Sequence, residues 1–494
     1  MSSDVQTGTI RTQIPARLDR LPFSRFHWKV IIGLGTVWIL DGLEVTIVAG
    51  IASRVGEKGA GVGISAANVS GLAASLYVAG ACVGALVFGQ LTDRFGRKKL
   101  FMITLGMYLA ATTLTAFSFS PLWFYVFRFF TGFGIGGEYS AINSAIDELI
   151  PAKHRGHVDI TINGSYWFGA AAGGVLALNT SVFAVNVGWR LCFALGAVLG
   201  LVVLLVRRSV PESPRWLFIH GREDEAEEMV ADIERQVRES TGQELAEPEG
   251  EMTVRQRRVI PLSLTVRSVV TRYPKPTVLG LALFVGQAFL YNSILFGLGT
   301  LLDTYFKVSS GDVPYYLAVF AVGNLFGPLV LGRLFDTVGR RPMIAGTYLL
   351  SGVLLIVTAL LFQGHDLTAA SLTIALTVIF FFASAGVSAA YLTVSEIFPM
   401  ETRALCISVF YAVGTGLGGI TGPLLFSHLV SSGSYSQAAL GFILGAVMMI
   451  IGGLVELIYG IDAEGKGLED IAKPLTAEDS TSSARSPRAA TVPA

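Results

Sequence analysis

Long apolar runs separated by short polar loops dominate the chain. Twelve runs are close to the roughly 20 residues that an α-helix needs to cross a bilayer. They lie at 29–50, 66–90, 100–119, 122–147, 158–179, 189–208, 277–300, 313–333, 342–362, 370–394, 404–429 and 436–459. Six precede and six follow a long polar segment, so the pattern predicts an all-α membrane protein with twelve transmembrane helices.

The polar segments divide the chain into five parts. We expect a cytoplasmic N-terminal segment at 1–28, a six-helix bundle at 29–208, a cytoplasmic linker at 209–276, a second six-helix bundle at 277–460 and a cytoplasmic, mostly disordered tail at 461–494. Within the linker, apolar residues recur at helical spacing over 222–240 and predict an amphipathic helix.

Composition excludes several classes of protein. Only 15% of the residues are charged and the formal net charge is zero, whereas a nucleic-acid binder needs a basic surface. The three cysteines lie in apolar runs at spacings that match no metal site. A nucleotide-binding loop and a nucleophile motif are both missing from the sequence, so we expect no metal, no cofactor and no enzymatic activity.

Lysine and arginine are concentrated in the loops on one side of the predicted bundle. Those loops hold nine basic residues and the opposite loops hold three. Because cytoplasmic loops carry the excess of positive charge, the basic side is predicted to be cytoplasmic. An even number of spans then places both termini there.

Two loop motifs occur twice in the same order. GQLTDRFGRKK begins at Gly89 and GRLFDTVGRRP begins at Gly332, 243 residues later. ELIPAKHR begins at Glu148 and EIFPMETR begins at Glu396, 248 residues later. The repeats indicate a duplicated six-helix unit, the organisation of membrane proteins built from two related halves.

These motifs resemble those of the major facilitator superfamily across residues 15–470. PESPRWL from Pro211 and EGKGLEDI from Glu464 are similar to signatures of its sugar-porter branch. RLDRLPFSRFHW before the first span and DGLE from Asp41 resemble the organic-acid and niacin-type branches. The resemblance implies two pseudo-symmetric halves, a central cavity lined by spans 1, 4, 7 and 10, and a bacterial inner membrane.

Three ionisable residues lie at membrane depth in the first and fourth spans. Asp41 and Glu44 are neighbours on one helix, and Arg128 falls at a similar depth on another. Charges there are costly and suggest function. Arg128 offers a planar fork for a substrate carboxylate, while Asp41 or Glu44 takes up a proton. The alternative is a structural ion pair.

Other polar residues within spans are further candidates. Glu138 is predicted to be either a second protonation site or a hydrogen-bonded structural carboxylate. In the seventh and tenth spans the predicted substrate contacts are Gln287, Tyr291, Asn292, Ser388 and Tyr391. The alternative for these side chains is hydrogen bonding between helices.

The repeated loops are predicted to form a gate. Carboxylates and guanidiniums at helix ends can form charge-assisted networks between helices, and the resemblance implies that these close the cytoplasmic side. The gating residues are Gly89, Asp93, Arg94, Gly96, Arg97, Glu148, Arg155, Asp336, Gly339, Arg340, Glu396 and Arg403.

The sequence therefore predicts proton-coupled symport of a small organic anion, such as an aromatic or nicotinate-type carboxylate, by alternating access. The expected partners are the lipid bilayer, the substrate and protons, with no nucleic acid, and the chain is expected to function as a monomer. The alternatives are a sugar or polyol porter and, in another class, a membrane sensor that does not transport.

Overall fold

The computed structural model describes residues 6–65, 68–178, 183–207, 212–248, 250–257, 269, 271, 273–309, 311–398, 403–466 and 471. Regular structure within this part of the chain is helical apart from one two-stranded sheet. Ten of its helical segments are long and apolar enough to cross a membrane.

The described part of the first half contains eight helices. They are α1 (Ile14–Asp19), α2 (Arg25–Gly56), α3 (Ala74–Phe95), α4 (Arg97–Ala116), α5 (Pro121–Leu149), α6 (Arg155–Gly164), α7 (Tyr166–Leu178) and α8 (Val185–Arg207). A π-helical turn, Val69–Ala73, leads into α3. Helix α5 carries buried charges, and the fifth span is broken at Ser165 into α6 and α7. With these two, the ten apolar segments make up the predicted twelve-span fold.

Ten helices lie in the described residues of the linker and the second half. They are α9 (Pro214–Ile219), α10 (Glu223–Thr241), α11 (Pro274–Phe306), α12 (Val313–Leu331), α13 (Leu334–Thr337), α14 (Arg340–Gln363), α15 (Ala369–Ile397), α16 (Arg403–Gly414), α17 (Thr421–Ser431) and α18 (Tyr435–Tyr459). A π-helical segment, Thr415–Ile420, joins α16 to α17.

Glycines let α3 and α5 pack with their backbones almost in contact. A Cβ added at Gly132 would lie 1.9 Å from the Tyr77 carbonyl oxygen, and one at Gly136 would lie 2.0 Å from the Ala81 carbonyl oxygen. Small residues at such crossings allow this approach. The crossing fixes the position of Tyr77 relative to α5.

The two halves pack most extensively along two pairs of helices. Helix α7 packs against α12, and α3 packs against α16. Each pair joins one helix of the first half to one of the second. The space between the two pairs is the centre of the molecule.

The linker helix α10 docks against the N-terminal segment. Its apolar face buries Ala226 and Val230, at the positions where the sequence predicts an amphipathic helix. Beside them, the Glu234 carboxylate accepts hydrogen bonds from Arg17 Nε at 3.0 Å and Nη2 at 2.8 Å, and from Arg20. Burial alone would raise the pKa of Glu234, but these hydrogen bonds outweigh it and hold the pKa below its ordinary value.

A short sheet joins the same two segments. Strand β1 (Gln6–Thr12) pairs antiparallel with β2 (Met252–Arg257), with Thr9 opposite Arg255. The apolar pattern of the sequence did not reveal this pairing. We call the side of the bundle that carries these segments and the repeated loops the basic side.

The two glycine-containing loop repeats have the same geometry. Gly96 has φ 89° and Gly339 has φ 121°, a region that glycine adopts without strain. Glu212 accepts a hydrogen bond from the first N–H of α4 at 3.0 Å, and Glu464 accepts one from the first N–H of α14 at 3.3 Å. The glutamates of the PESPRWL and EGKGLEDI sequences therefore bind corresponding helix N-termini in the two halves.

Candidate functional site

A cavity of about 130 Å³ lies between the two halves. Its wall comes from spans 1, 2, 4, 5, 7, 10 and 11. It is smaller than the roughly 300–1,000 Å³ pockets that hold drug-sized ligands. The cavity therefore suits a small molecule.

Aromatic rings form much of the cavity wall. They are Trp38, Tyr77, Tyr139, Tyr166, Trp167, Tyr291, Phe296, Tyr391 and Tyr411. Trp38 stacks on Tyr139 with 4.7 Å between ring centroids and 13° between ring planes. The Trp38 ring also contacts the Tyr391 ring edge-on. Rings from both halves therefore pack into one aromatic layer at the centre of the molecule.

Asp41 is the carboxylate among the residues that line this cavity. It is 2% exposed and accepts hydrogen bonds from the hydroxyls of Tyr77 and Tyr139. Helices α2, α3 and α5 supply these three side chains. The two phenols fix the Asp41 carboxylate against the wall, and no cation among the described residues forms an ion pair with it.

The Trp38 indole nitrogen is a hydrogen-bond donor at the same wall. Trp38 Nε1 is buried and has no hydrogen-bond partner within the described residues. A buried donor of this kind usually has a partner.

The structure places five of the six predicted substrate contacts on the cavity wall. Gln287, Tyr291 and Asn292 come from α11, and Ser388 and Tyr391 come from α15. Asn292 Nδ2 donates to the Ala288 carbonyl oxygen at 2.8 Å, and Ser388 Oγ donates to the Ser384 carbonyl oxygen. Both side chains thus also hydrogen-bond within their own helices.

Arg128, the sixth predicted contact, lies behind the wall in this structure. Its Nη1 donates to Glu44 Oε1, and its guanidinium lies 4.7 Å from the centroid of the Tyr77 ring. The second Glu44 oxygen accepts from Thr112 Oγ1 at 2.9 Å. Asp41 and Glu44, neighbours in sequence, therefore have different surroundings: Asp41 faces the cavity, and Glu44 pairs with Arg128.

Glu138 is fully buried beside α4 and is not among the cavity residues. Its Oε1 accepts a hydrogen bond from Thr104 Oγ1 at 3.3 Å. This contact joins α4 to α5. Thr104 is a neutral donor, so the contact is compatible with both predicted roles of Glu138.

Charged residues of the repeated loops meet at the basic side of the second half. Arg340 donates to Glu396 through Nε and Nη2, both at 3.2 Å, and through Nη1 to Asp336 at 2.6 Å. Glu396 is 1% exposed. Two-point binding of this kind is geometrically specific, so Arg340 ties α13 and α15 to the start of α14.

Two contacts extend this network across the halves. Arg155 Nη1 lies 4.0 Å from Glu396 Oε1, and the His157 backbone N–H donates to Asp336 Oδ2 at 2.7 Å. Helix α6 belongs to the first half, whereas α13 and α15 belong to the second. The basic side is therefore closed in this structure.

The corresponding network of the first half is only partly described. Arg97 Nη1 pairs with Glu148, which also accepts from the Ser213 hydroxyl of the linker. Arg94 is exposed at the end of α3. Of the remaining predicted gating residues, Gly89 lies within α3, and the side chains of Asp93 and Arg403 lie outside the described part of the structure.

Several cavity residues were missed by sequence reasoning. Trp38, Tyr139 and Trp167 are aromatic residues in apolar runs, where lipid, core and cavity positions look alike. Asn163 lines the cavity from the end of α6. An amide within an apolar span was a signal that could have found Asn163.

The described residues contain no group of three or more metal-binding side chains, and all three cysteines are buried with free thiols. The site is built from aromatic rings, hydroxyls, amides and one carboxylate. Such a set binds and orients a small organic molecule.

Comparison with known families identifies the chain. Residues 39–474 match the family model described as "Sugar (and other) transporter". The chain belongs to this family of the major facilitator superfamily. It is a membrane transporter and not an enzyme.

Similar proteins with assigned names are transporters as well. The niacin transporter NiaP of Acinetobacter baylyi is 28% identical over 460 residues, covering 92% of this chain and 99% of that protein. The organic cation/carnitine transporter 7 of Arabidopsis thaliana is 26% identical over 513 residues, covering 94% of this chain and 97% of that protein.

Solved structures share the fold. The proton:xylose symporter XylE, bound to a bromo-deoxyglucose, superposes with a TM-score of 0.70 at 19% identity, covering 90% of this chain and 98% of that one. The human organic anion transporter MFSD10 gives a TM-score of 0.63 at 15% identity, with 87% and 99% covered.

Proposed function

We propose that the protein is a proton-coupled symporter of a small aromatic carboxylate. The observation that carries this proposal is the central cavity, which combines an aromatic wall with a single lining carboxylate, Asp41. Flat rings stack favourably on aromatic side chains, and the cavity volume of about 130 Å³ matches a one-ring ligand better than a larger one.

Hydrogen-bond donors on the wall receive the carboxylate of the ligand. Trp38 Nε1 is the first of them, since it has no partner among the described residues. The amide groups of Gln287 and Asn292 face the same space from the other half. Contacts from both halves are what alternating access around a central site requires.

Charge repulsion couples the ligand to a proton. Two unit charges about 6 Å apart, at an effective dielectric constant of about 20, repel each other by about 3 kcal/mol. This corresponds to about a hundredfold loss of affinity for an anion beside ionised Asp41. Protonation of Asp41 removes the penalty, so the anion and the proton bind together.

Arg128 and Glu44 lie behind the Tyr77 ring and affect how strongly the site binds an anion. In this structure the Arg128 guanidinium forms an ion pair with Glu44. We assign to Arg128 the support of the ligand anion, either across the ring or by direct contact once Glu44 is protonated. Glu138, which lies on α5 and contacts Thr104 of α4, is the remaining candidate proton carrier.

The closed basic side fits one state of the transport cycle. Contacts from Arg155 and His157 to the second half must break before the cavity opens there. We propose that this side is cytoplasmic, in a bacterial inner membrane, and that one chain completes the cycle. The named function of the niacin transporter NiaP, whose substrate is an aromatic carboxylate, supports the choice of ligand.

A sugar or polyol is the second candidate substrate. Gln287 and Asn292 supply amides suited to hydroxyl groups, and the family match includes sugar transporters. Aromatic walls also pack against sugar rings. A neutral sugar is not repelled by ionised Asp41, so the charge coupling described above applies only to an anion.

Uptake into proteoliposomes tests the proposal. Radiolabelled benzoate, nicotinate and glucose are supplied with and without an inward proton gradient. We expect accumulation of a carboxylate that depends on the gradient, and competition between the two carboxylates. Uptake of glucose alone establishes the second candidate, and binding without flux establishes a sensor.

A further inference from the structure

A second cavity, of about 460 Å³, lies at the basic side where the two halves meet. Its wall is formed by the start of α2, by α6 with the loop before it, and by α13 with adjoining residues. It is separate from the central cavity, with which it shares no lining residue.

Two unpaired cations flank this second cavity. Lys153 comes from the first half and Arg333 from the second, and neither has an ion-pair partner within the described residues. The lining carboxylate, Asp336, forms an ion pair at 2.6 Å with Arg340, a guanidinium that it shares with Glu396. The cavity thus presents an excess of positive charge contributed by both halves.

Hydrogen-bonding atoms without partners also line the cavity. His157 Nδ1 and Thr161 Oγ1 are shielded from solvent, and neither has a hydrogen-bond partner among the described residues. They lie four positions apart on α6 and so share one face of that helix. His154 lines the same wall. These groups suit the oxygens of a phosphate ester.

The rest of the wall is apolar and includes an exposed tryptophan. Phe23, Ile31 and Val158 line the cavity, and Trp28 beside them is 56% exposed at the start of the first span. Tryptophan is enriched at the interface between lipid and water. An occupant therefore has an anionic head and hydrocarbon chains.

We propose that this cavity binds the headgroup of an anionic phospholipid. Basic pockets between transmembrane helices on the cytoplasmic side bind such headgroups. Because Lys153 and Arg333 belong to different halves, the bound lipid bridges them on the side that is closed in this structure. The inference does not depend on which substrate the central cavity carries.

Thermal unfolding of the detergent-purified protein tests the proposal. Short-chain phosphatidylglycerol is titrated against short-chain phosphatidylcholine, glycerol phosphate and inorganic phosphate. We expect phosphatidylglycerol to raise the Tm and the other three additives to leave it unchanged. An equal effect of phosphatidylcholine overturns charge recognition, and an equal effect of glycerol phosphate or inorganic phosphate overturns a lipid as the occupant.

Substitutions locate the effect. The double variant Lys153→Gln/Arg333→Gln is expected to need about thirtyfold more phosphatidylglycerol for the same rise in Tm, from the attraction of about 1 kcal/mol for each basic residue near an anionic surface. The matched control Lys98→Gln/Lys99→Gln removes the same charge from the exposed first turn of α4 and keeps the response. A full response in the double variant, or its loss in the control, overturns the site.

Single variants test the bridge and guard against loss of folding. Both side chains are exposed, so their truncation leaves the core intact. Arg333→Gln alone and Lys153→Gln alone are each expected to weaken the response. If either alone leaves it at the wild-type level, the lipid does not bridge the two halves.

Discussion

The close crossing of α3 and α5 is the packing feature on which the proposed proton site depends most directly. Gly132 on α5 faces the backbone of Tyr77, whose hydroxyl donates to Asp41. The substitution Gly132→Ala adds one carbon at this crossing. It therefore perturbs the support of Asp41 without changing any polar group.

The size of the effect follows from the geometry. The new Cβ would lie 1.9 Å from the Tyr77 carbonyl oxygen, where ordinary contacts begin at 3.4 Å. The two helices must therefore separate by about 1.5 Å, and overpacking of this kind costs about 1–3 kcal/mol. The shift moves Tyr77 away from Asp41, so both stability and gradient-driven uptake should fall.

A matched control isolates the clash. An alanine carbon at Gly106 on α4 would meet nothing within 4 Å. Gly106→Ala gains the helix propensity of alanine, up to about 1 kcal/mol, with no steric cost. We expect Gly132→Ala to have a lower Tm than Gly106→Ala in the same detergent, and to transport more slowly in proteoliposomes.

The reasoning is refuted if Gly132→Ala matches Gly106→Ala in both Tm and uptake. That result means that the helices absorb the added carbon without moving Tyr77. A lower Tm with unchanged uptake refutes only the link from the crossing to Asp41.

Three further predictions concern the linker, the gate and the ligand. The pKa of Glu234 is depressed in the folded state. Its contribution to the docking of α10 is therefore present above the unfolded pKa of about 4.3 and is lost as the pH falls through the folded pKa. Hydrogen exchange of residues 223–241, corrected for intrinsic rates, should show this loss at acid pH in the wild type and not in Glu234→Gln. Arg340→Gln leaves the buried Glu396 without its two-point partner, and breaking such a buried pair costs about 3–5 kcal/mol. The basic side should then open more often, so a cysteine placed at Asn163 on the cavity wall should react faster with an impermeant maleimide added from that side. Unchanged labelling contradicts the gate. Trp38→Phe keeps the ring but loses the N–H, and the benzoate concentration for half-maximal uptake should rise about tenfold for one lost hydrogen bond; an unchanged value removes Trp38 as the donor.

The architecture could be predicted because its physical causes are local in the sequence. A bilayer demands about 20 apolar residues for each crossing helix, and the chain repeats this pattern twelve times. The two loop repeats identify the duplication without reference to any contact. The sheet between β1 and β2 was missed because its strands are more than 200 residues apart and carry no long apolar pattern.

The site was predicted only in part. The charged residues Asp41, Glu44 and Arg128 stood out because ionisable groups are rare at membrane depth. Sequence spacing alone does not separate Asp41 at the cavity from Glu44 at Arg128, since that depends on which neighbouring helix each faces. Tyr77 and Tyr139 were not singled out, because a tyrosine that holds a carboxylate looks like any aromatic residue in an apolar span.

The measurement that tests the central claim most directly is transport of benzoate or nicotinate by Asp41→Asn in proteoliposomes. We expect this variant to exchange ligand across the membrane at equal concentrations but to lose accumulation driven by an inward proton gradient. Asp303→Asn, which neutralises an exposed carboxylate near the end of α11, should behave like wild type. Gradient-driven accumulation by Asp41→Asn at the wild-type level would contradict the assignment of Asp41 as the coupling residue.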